Sequence, residues 1–327
     1  MGLRGYRTTV QTDYCQRVKV TARFGLFLVS VLLYTNPKKR VNMELKNFNL
    51  LLILSLLWGG SFYFIAKSLL FFSYEQIVFF RVFFAALTLF GFLLLKRVKF
   101  DFDWKLWLSF LVMGILNNVI PFLAFTYAQN GITASMASLF NATTPIFVAS
   151  FAHLLTKDEK LSKLKILGIT IGFLGIVFLL NPHEKMVVDV YKLIALIAPI
   201  SYAFAGIFGK ILKGKDPIFS AFGMLTCSSL IMYLFFHTTI HAVNIEQLGH
   251  IKHVIFLAIF STAIAYILYF KLLARVGATK LLLVTFLIPI SASILGVLFL
   301  NEVFTPNMYL GMITIFIALF LIIKDKK

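Results

Sequence analysis

The chain has 327 residues, 60% of them hydrophobic and 13% charged, with a mean hydropathy of +0.91. Soluble domains carry roughly 25% charged residues, so this composition excludes a single soluble core and predicts a helical membrane protein. The net charge of +18 sits in short basic clusters between apolar runs, which reads as topology signalling and not as a nucleic-acid footprint.

Along the chain, residues 1–42 come first as an N-terminal extension. FGLFLVSVLLY, from Phe24 to Tyr34, follows Arg17, Lys19 and Arg23 but is too short to span a bilayer. It has the shape of a signal h-region or an interfacial segment, with no cleavage signature behind it. Met43, directly before a long apolar run, is an alternative start that leaves residues 1–42 dispensable. From there about ten spans are expected, at 48–66, 76–95, 106–128, 132–155, 164–181, 190–209, 218–236, 254–273, 279–300 and 307–323. The fold class is therefore an all-α polytopic membrane protein.

Basic residues alternate between the junctions. Lys38, Lys39, Arg40 and Lys46 precede the first span, and every even junction is basic, as at Lys96, Arg97 and Lys99 or at Lys210, Lys213 and Lys215. The odd junctions hold only Lys67, Lys185, Lys192 and Lys252. The positive-inside rule then puts both termini in the cytoplasm.

LFNATTPIFVASFAHLLTKDE, from Leu139 to Glu159, and FLIPISASILGVLFLNE, from Phe286 to Glu302, repeat one pattern: a proline in an apolar run, small residues, then a glutamate. Pro145 and Pro289 lie 144 positions apart, and Glu159 and Glu302 lie 143 apart. Five spans therefore repeat, over 43–181 and 190–327, and an odd number forces the second copy to sit upside down. Inverted repeats of this kind place a substrate site near the midplane between the halves.

LLWGGSFYFIAK in the first span, EQIVFFR at the start of the second, the paired blocks TAS…P…E and GAT…P…E, and the glycine-bearing fifth and tenth spans resemble the drug/metabolite transporter superfamily, in particular its EamA-like members. The resemblance covers roughly Leu50 to Ile323, and departs from the pattern where SYAF from Ser201 stands in place of WGGS. It implies a cytoplasmic-membrane exporter of amino acids or similar small metabolites. It also implies an arginine in the second span, here Arg81, as a carboxylate anchor or gate. The lipid bilayer and a small-molecule substrate are the expected partners, with pairing into a homodimer left open.

Arg81 is the one arginine well inside an apolar run, and a buried cation is costly enough to suggest a cavity. Snorkelling toward the membrane surface near Glu75 is the alternative. The expected substrate-binding set is Arg81, Trp58, Asn118, Asn141, Tyr202 and Tyr266; interhelical hydrogen bonding and aromatic packing are the plainer explanations for the asparagines and the rings. Pro145 and Pro289 are expected to kink their helices, and Glu159 and Glu302 to act as gates or as solvated helix ends. Gly59, Gly60 and Ser61 read as a close-packing site.

HExxH, GxSxG and P-loop motifs are missing, which argues against an enzyme and against direct ATP drive. The two cysteines, Cys15 and Cys227, have no CxxC neighbour, so no metal site or cofactor is expected. A channel or a lipid-translocating subunit remains the alternative to a carrier.

Overall fold

The computed structural model describes residues 45–155, 162–180, 189–281 and 283–324. The extension 1–42 and Glu159 lie outside the described residues. Ten long helices follow in order: α1 (Leu45–Ser68), α2 (Tyr74–Leu95), α3 (Trp104–Ala128), α4 (Ala134–Leu155), α5 (Lys163–Leu180), α6 (Val190–Leu212), α7 (Pro217–His241), α8 (Lys252–Gly277), α9 (Val284–Leu300) and α10 (Pro306–Ile323). Among the described residues, nine are long and apolar enough to cross a membrane, and α9 is a shorter apolar helix. A helix keeps its backbone hydrogen bonds internal, the condition for crossing hydrocarbon. The helices start where a short polar side chain covers the first free N–H groups: Ser73 with a reciprocal Gln76 box at α2, Thr133 at α4, and Asp103, Asp189 and Asp216 at α3, α6 and α7.

The most extensive helix pairings cross between the halves: α5 with α10, α2 with α7, α1 with α9, and α3 with α6. Exchanging each helix for its counterpart five places on turns α1·α9 into α6·α4 and α3·α6 into α8·α1, both of which also occur. That pattern is the pseudo-twofold of an inverted repeat. Water offers these helices no help in associating within a bilayer, so small residues and hydrogen bonds must hold the seams. At Gly59 a Cβ would fall 2.9 Å from both the Ala292 nitrogen and the Ile288 carbonyl oxygen, leaving no room for a side chain where α1 meets α9. Gly175 plays the same part in α5 against Thr314 and Ile315 of α10.

Three local departures from α-helix shape the interior. Both α3 and α8 contain a π-helical turn, Ile115–Val119 and Ile259–Ile264, whose starts are 144 positions apart. The third lies in α4, which breaks at Ala142 and Thr143 just ahead of Pro145. Proline lacks an N–H and its ring excludes the carbonyl four residues back. The Thr144 hydroxyl takes up that Asn141 carbonyl at 2.7 Å, and the Thr143 hydroxyl takes the Phe140 carbonyl at 2.7 Å. α9 carries Pro289 inside it without an interruption of the helix. In the second half the chain changes direction earlier, at Gly277 (φ 77°, ψ 164°), a backbone conformation that glycine adopts cheaply.

Candidate functional site

Between the halves lies a cavity of about 620 Å³. It reaches the surface at the exposed residues Lys213, Gly214, Lys215 and Pro217, where α6 passes into α7. From there it runs between α1, α3, α6 and α8 to Phe62, Ile65 and Phe125, which are 5%, 1% and 4% exposed and close its far end. The Phe62 and Phe125 rings meet edge-on there, with centroids 5.5 Å apart. On the closed side, Glu302 ties the end of α9 to the start of α4. Its carboxylate accepts from the backbone N–H of Ala134 at 2.7 Å, from that of Ser135 at 3.0 Å, and from the Ser135 hydroxyl. This is an N-cap delivered from the other repeat, an anion at the positive end of a helix. The partners of Glu302 are therefore these amide and hydroxyl donors, in place of the basic residues or the solvated helix end expected for it.

Arg81 lines this cavity and is 7% exposed, so it does not snorkel. Its guanidinium lies over the Phe122 ring at 3.6 Å, and its Nε donates to the Thr262 hydroxyl at 3.0 Å. Thr262 sits in the π-turn of α8 and donates its own proton to the Leu257 carbonyl at 3.0 Å. The two terminal nitrogens of Arg81 carry no protein hydrogen bond and remain accessible from the cavity. No Asp or Glu belongs to the lining among the described residues.

The π-turn of α3 builds the matching arrangement. Asn117 donates to the Tyr266 hydroxyl at 2.8 Å, and that hydroxyl donates to the Asn118 carbonyl oxygen at 2.9 Å. Asn118 in turn donates to Ser228 of α7 at 3.2 Å, and Ser201 of α6 caps the Leu116 carbonyl at 2.6 Å. Each π-turn thus hands a polar side chain to the second helix of the other half, Thr262 to Arg81 and Asn118 to Ser228.

With this geometry in hand, comparison with known proteins becomes informative. The model of the EamA-like transporter family matches residues 47–181 and again 191–324. The chain belongs to the EamA-like transporter family. Among its relatives, the uncharacterized transporter YoaV of Bacillus subtilis is 25% identical, with 74% of this chain and 84% of YoaV covered. An uncharacterized transporter of Archaeoglobus fulgidus is also 25% identical, over 82% of this chain and 95% of that protein. The uncharacterized inner membrane transporter YedA of Escherichia coli K12 is 24% identical, over 88% and 94%. A crystal structure sharing 15% identity covers 84% of this chain and 96% of that one with a TM-score of 0.57, a likeness of fold.

In this EamA-like chain the cavity gathers Arg81, Trp58, Asn141, Tyr202 and Tyr266 from the residues singled out by sequence. Asn118 is not among them. It is fully buried between Ser228 and Tyr266, and its neighbour Asn117 faces the cavity instead, because the π-turn rotates the helix face at that point. Pro145 and Pro289 stay outside the lining, although Pro145 sets the break that presents Asn141 and Thr144 to it. Sequence reasoning missed Thr262 as the partner of Arg81, as well as Phe122 and Ser61 in the lining. Thr262 stands 144 positions after Asn118, so the repeat itself carried a usable signal.

Proposed function

We propose that this transporter is a carrier that exports small carboxylate-bearing metabolites, amino acids and compounds of like size, across the cytoplasmic membrane. The observation that carries this reading is the buried Arg81, whose free terminal nitrogens face a cavity without acidic lining. A guanidinium presents a planar fork that matches a carboxylate, and such charge-assisted pairs strengthen as water is removed. The same positive site opposes cations. The size of the cavity suits a small organic solute.

The open end supports the export reading. The mouth lies at the junction of Lys210, Lys213 and Lys215, one of the basic junctions assigned to the cytoplasm together with both termini. A site open to the cytoplasm, with its far end sealed by Phe62, Phe125 and the Glu302 cap, supports loading from inside. Release then requires the seal to open as the mouth closes, by rocking of the two repeats against each other.

The test is counterflow with purified full-length protein in proteoliposomes preloaded with unlabelled amino acids and small carboxylates. Saturable exchange accelerated by internal solute is the expected result. Flux that neither saturates nor responds to internal solute would replace the carrier with a channel.

A further inference from the structure

Along α6, Tyr202, Ala205, Gly206 and Gly209 turn one face to the cavity at helical spacing. Glycine inside a helix is less stable than alanine and usually has a packing reason. At Gly206 there is none: a Cβ built there meets no atom within 4 Å. The absent side chain is volume kept open in the wall of the cavity, which Trp58 and Tyr269, with ring centroids 5.5 Å apart, also line.

Charge supplies the second, independent observation. The path from mouth to seal meets Lys213, which has no side-chain partner among the described residues, then Arg81, and no acidic residue on the way. Lys215 at the mouth is held by Asp101 at 3.0 Å. A carboxylate entering here trades water for the fork of Arg81. An ammonium on the adjacent carbon loses its water, finds no carboxylate, and is held close to a guanidinium. Flat apolar surface is abundant, from Phe122 beneath Arg81 to Trp58 and Tyr269.

Resting on the carrier reading above and narrowing its solute class, we infer that a net-negative aryl monocarboxylate is carried in preference to the zwitterionic amino acids and to cations, and that Gly206 sets the size of the body admitted. Arg81 takes the head, and the aromatic wall takes the ring.

The decisive experiment compares counterflow of phenyllactate, phenylalanine, phenethylamine and lactate through the full-length protein, blanked against protein-free vesicles. Phenyllactate and phenylalanine differ only in hydroxyl against ammonium, and lactate lacks the ring. Phenyllactate is expected to exceed phenylalanine by about tenfold or more, with phenethylamine not carried, because an unpaired buried charge discriminates strongly. Gly206→Leu is expected to lower phenyllactate exchange by about tenfold and to lower the ratio of phenyllactate to lactate exchange, since it fills space and breaks no contact. Should Gly206→Leu fail to insert, Gly206→Ala must move the ratio in the same direction. Phenylalanine or phenethylamine exchanged as well as phenyllactate would overturn the inference and leave the carrier standing. Exchange of none of the four in a protein that carries other solutes would do the same, and exchange of no solute at all would remove both readings. A Gly206→Leu protein with unchanged phenyllactate exchange would overturn the size role.

Discussion

Arg81 is where the cost of burial and the use of the cavity meet. A lone guanidinium in the membrane interior is expensive, and here a ring at 3.6 Å and one hydroxyl at 3.0 Å offset only part of that cost. The unmet part is what the proposed carboxylate solute would supply. Tyr266 is the other residue on which the site turns, since one hydroxyl serves Asn117 and Asn118 together. Tyr266→Phe removes both bonds and leaves the buried Asn118 oxygen unpaired, a loss of about 1–3 kcal/mol. Its thermal unfolding in detergent is expected several degrees below wild type; an unchanged midpoint would mean that the bridge contributes nothing. Arg81 was legible as a cation in an apolar run. The choice between Asn117 and Asn118 was not, because a π-turn shifts the helix face and sequence periodicity assumes a regular helix.

Helix seams decide stability at the next scale. Gly59 and Gly60 look alike in the sequence, yet only Gly59 abuts backbone, whereas the nearest atom to a Cβ at Gly60 is 3.7 Å away. Gly59→Ala should therefore cost about 1–3 kcal/mol through overpacking against α9. Gly60→Ala should be neutral or gain up to about 1 kcal/mol of helix propensity. Denaturation curves for the two variants separate these outcomes, and equal midpoints would contradict the seam. Glu302→Gln weakens the cap on α4 by about 1 kcal/mol, since a neutral amide accepts less strongly at the positive end of a helix. Hydrogen exchange at the Ala134 and Ser135 amides should quicken, with exchange in the middle of α3 unaltered. The span limits could be read from apolar runs and caps. The Glu302 contact could not, because it joins residues 168 positions apart through the packing of α9 on α4.

For the whole molecule, the duplicated Pro and Glu spacing points to two inverted halves of five helices, and the most extensive helix pairings cross between those two stretches. The cavity departs from that symmetry. Where α1 has Trp58 and Gly59, the matching positions of α6 hold Ser201, which caps the Leu116 carbonyl, and Tyr202, which lines the cavity. Ancestral duplication fixes backbone correspondence, while side chains diverge to fit one solute, so the repeat predicts the frame better than the lining. The central claim is that a solute binds at Arg81 between the two halves. Counterflow in proteoliposomes with wild type and Arg81→Ala, matched for inserted and folded protein, tests it most directly. A loss of about a hundredfold in kcat/KM is expected, as when a charge-assisted pair of about 2–3 kcal/mol is removed, with insertion unchanged. Exchange at the wild-type rate in the variant would contradict it.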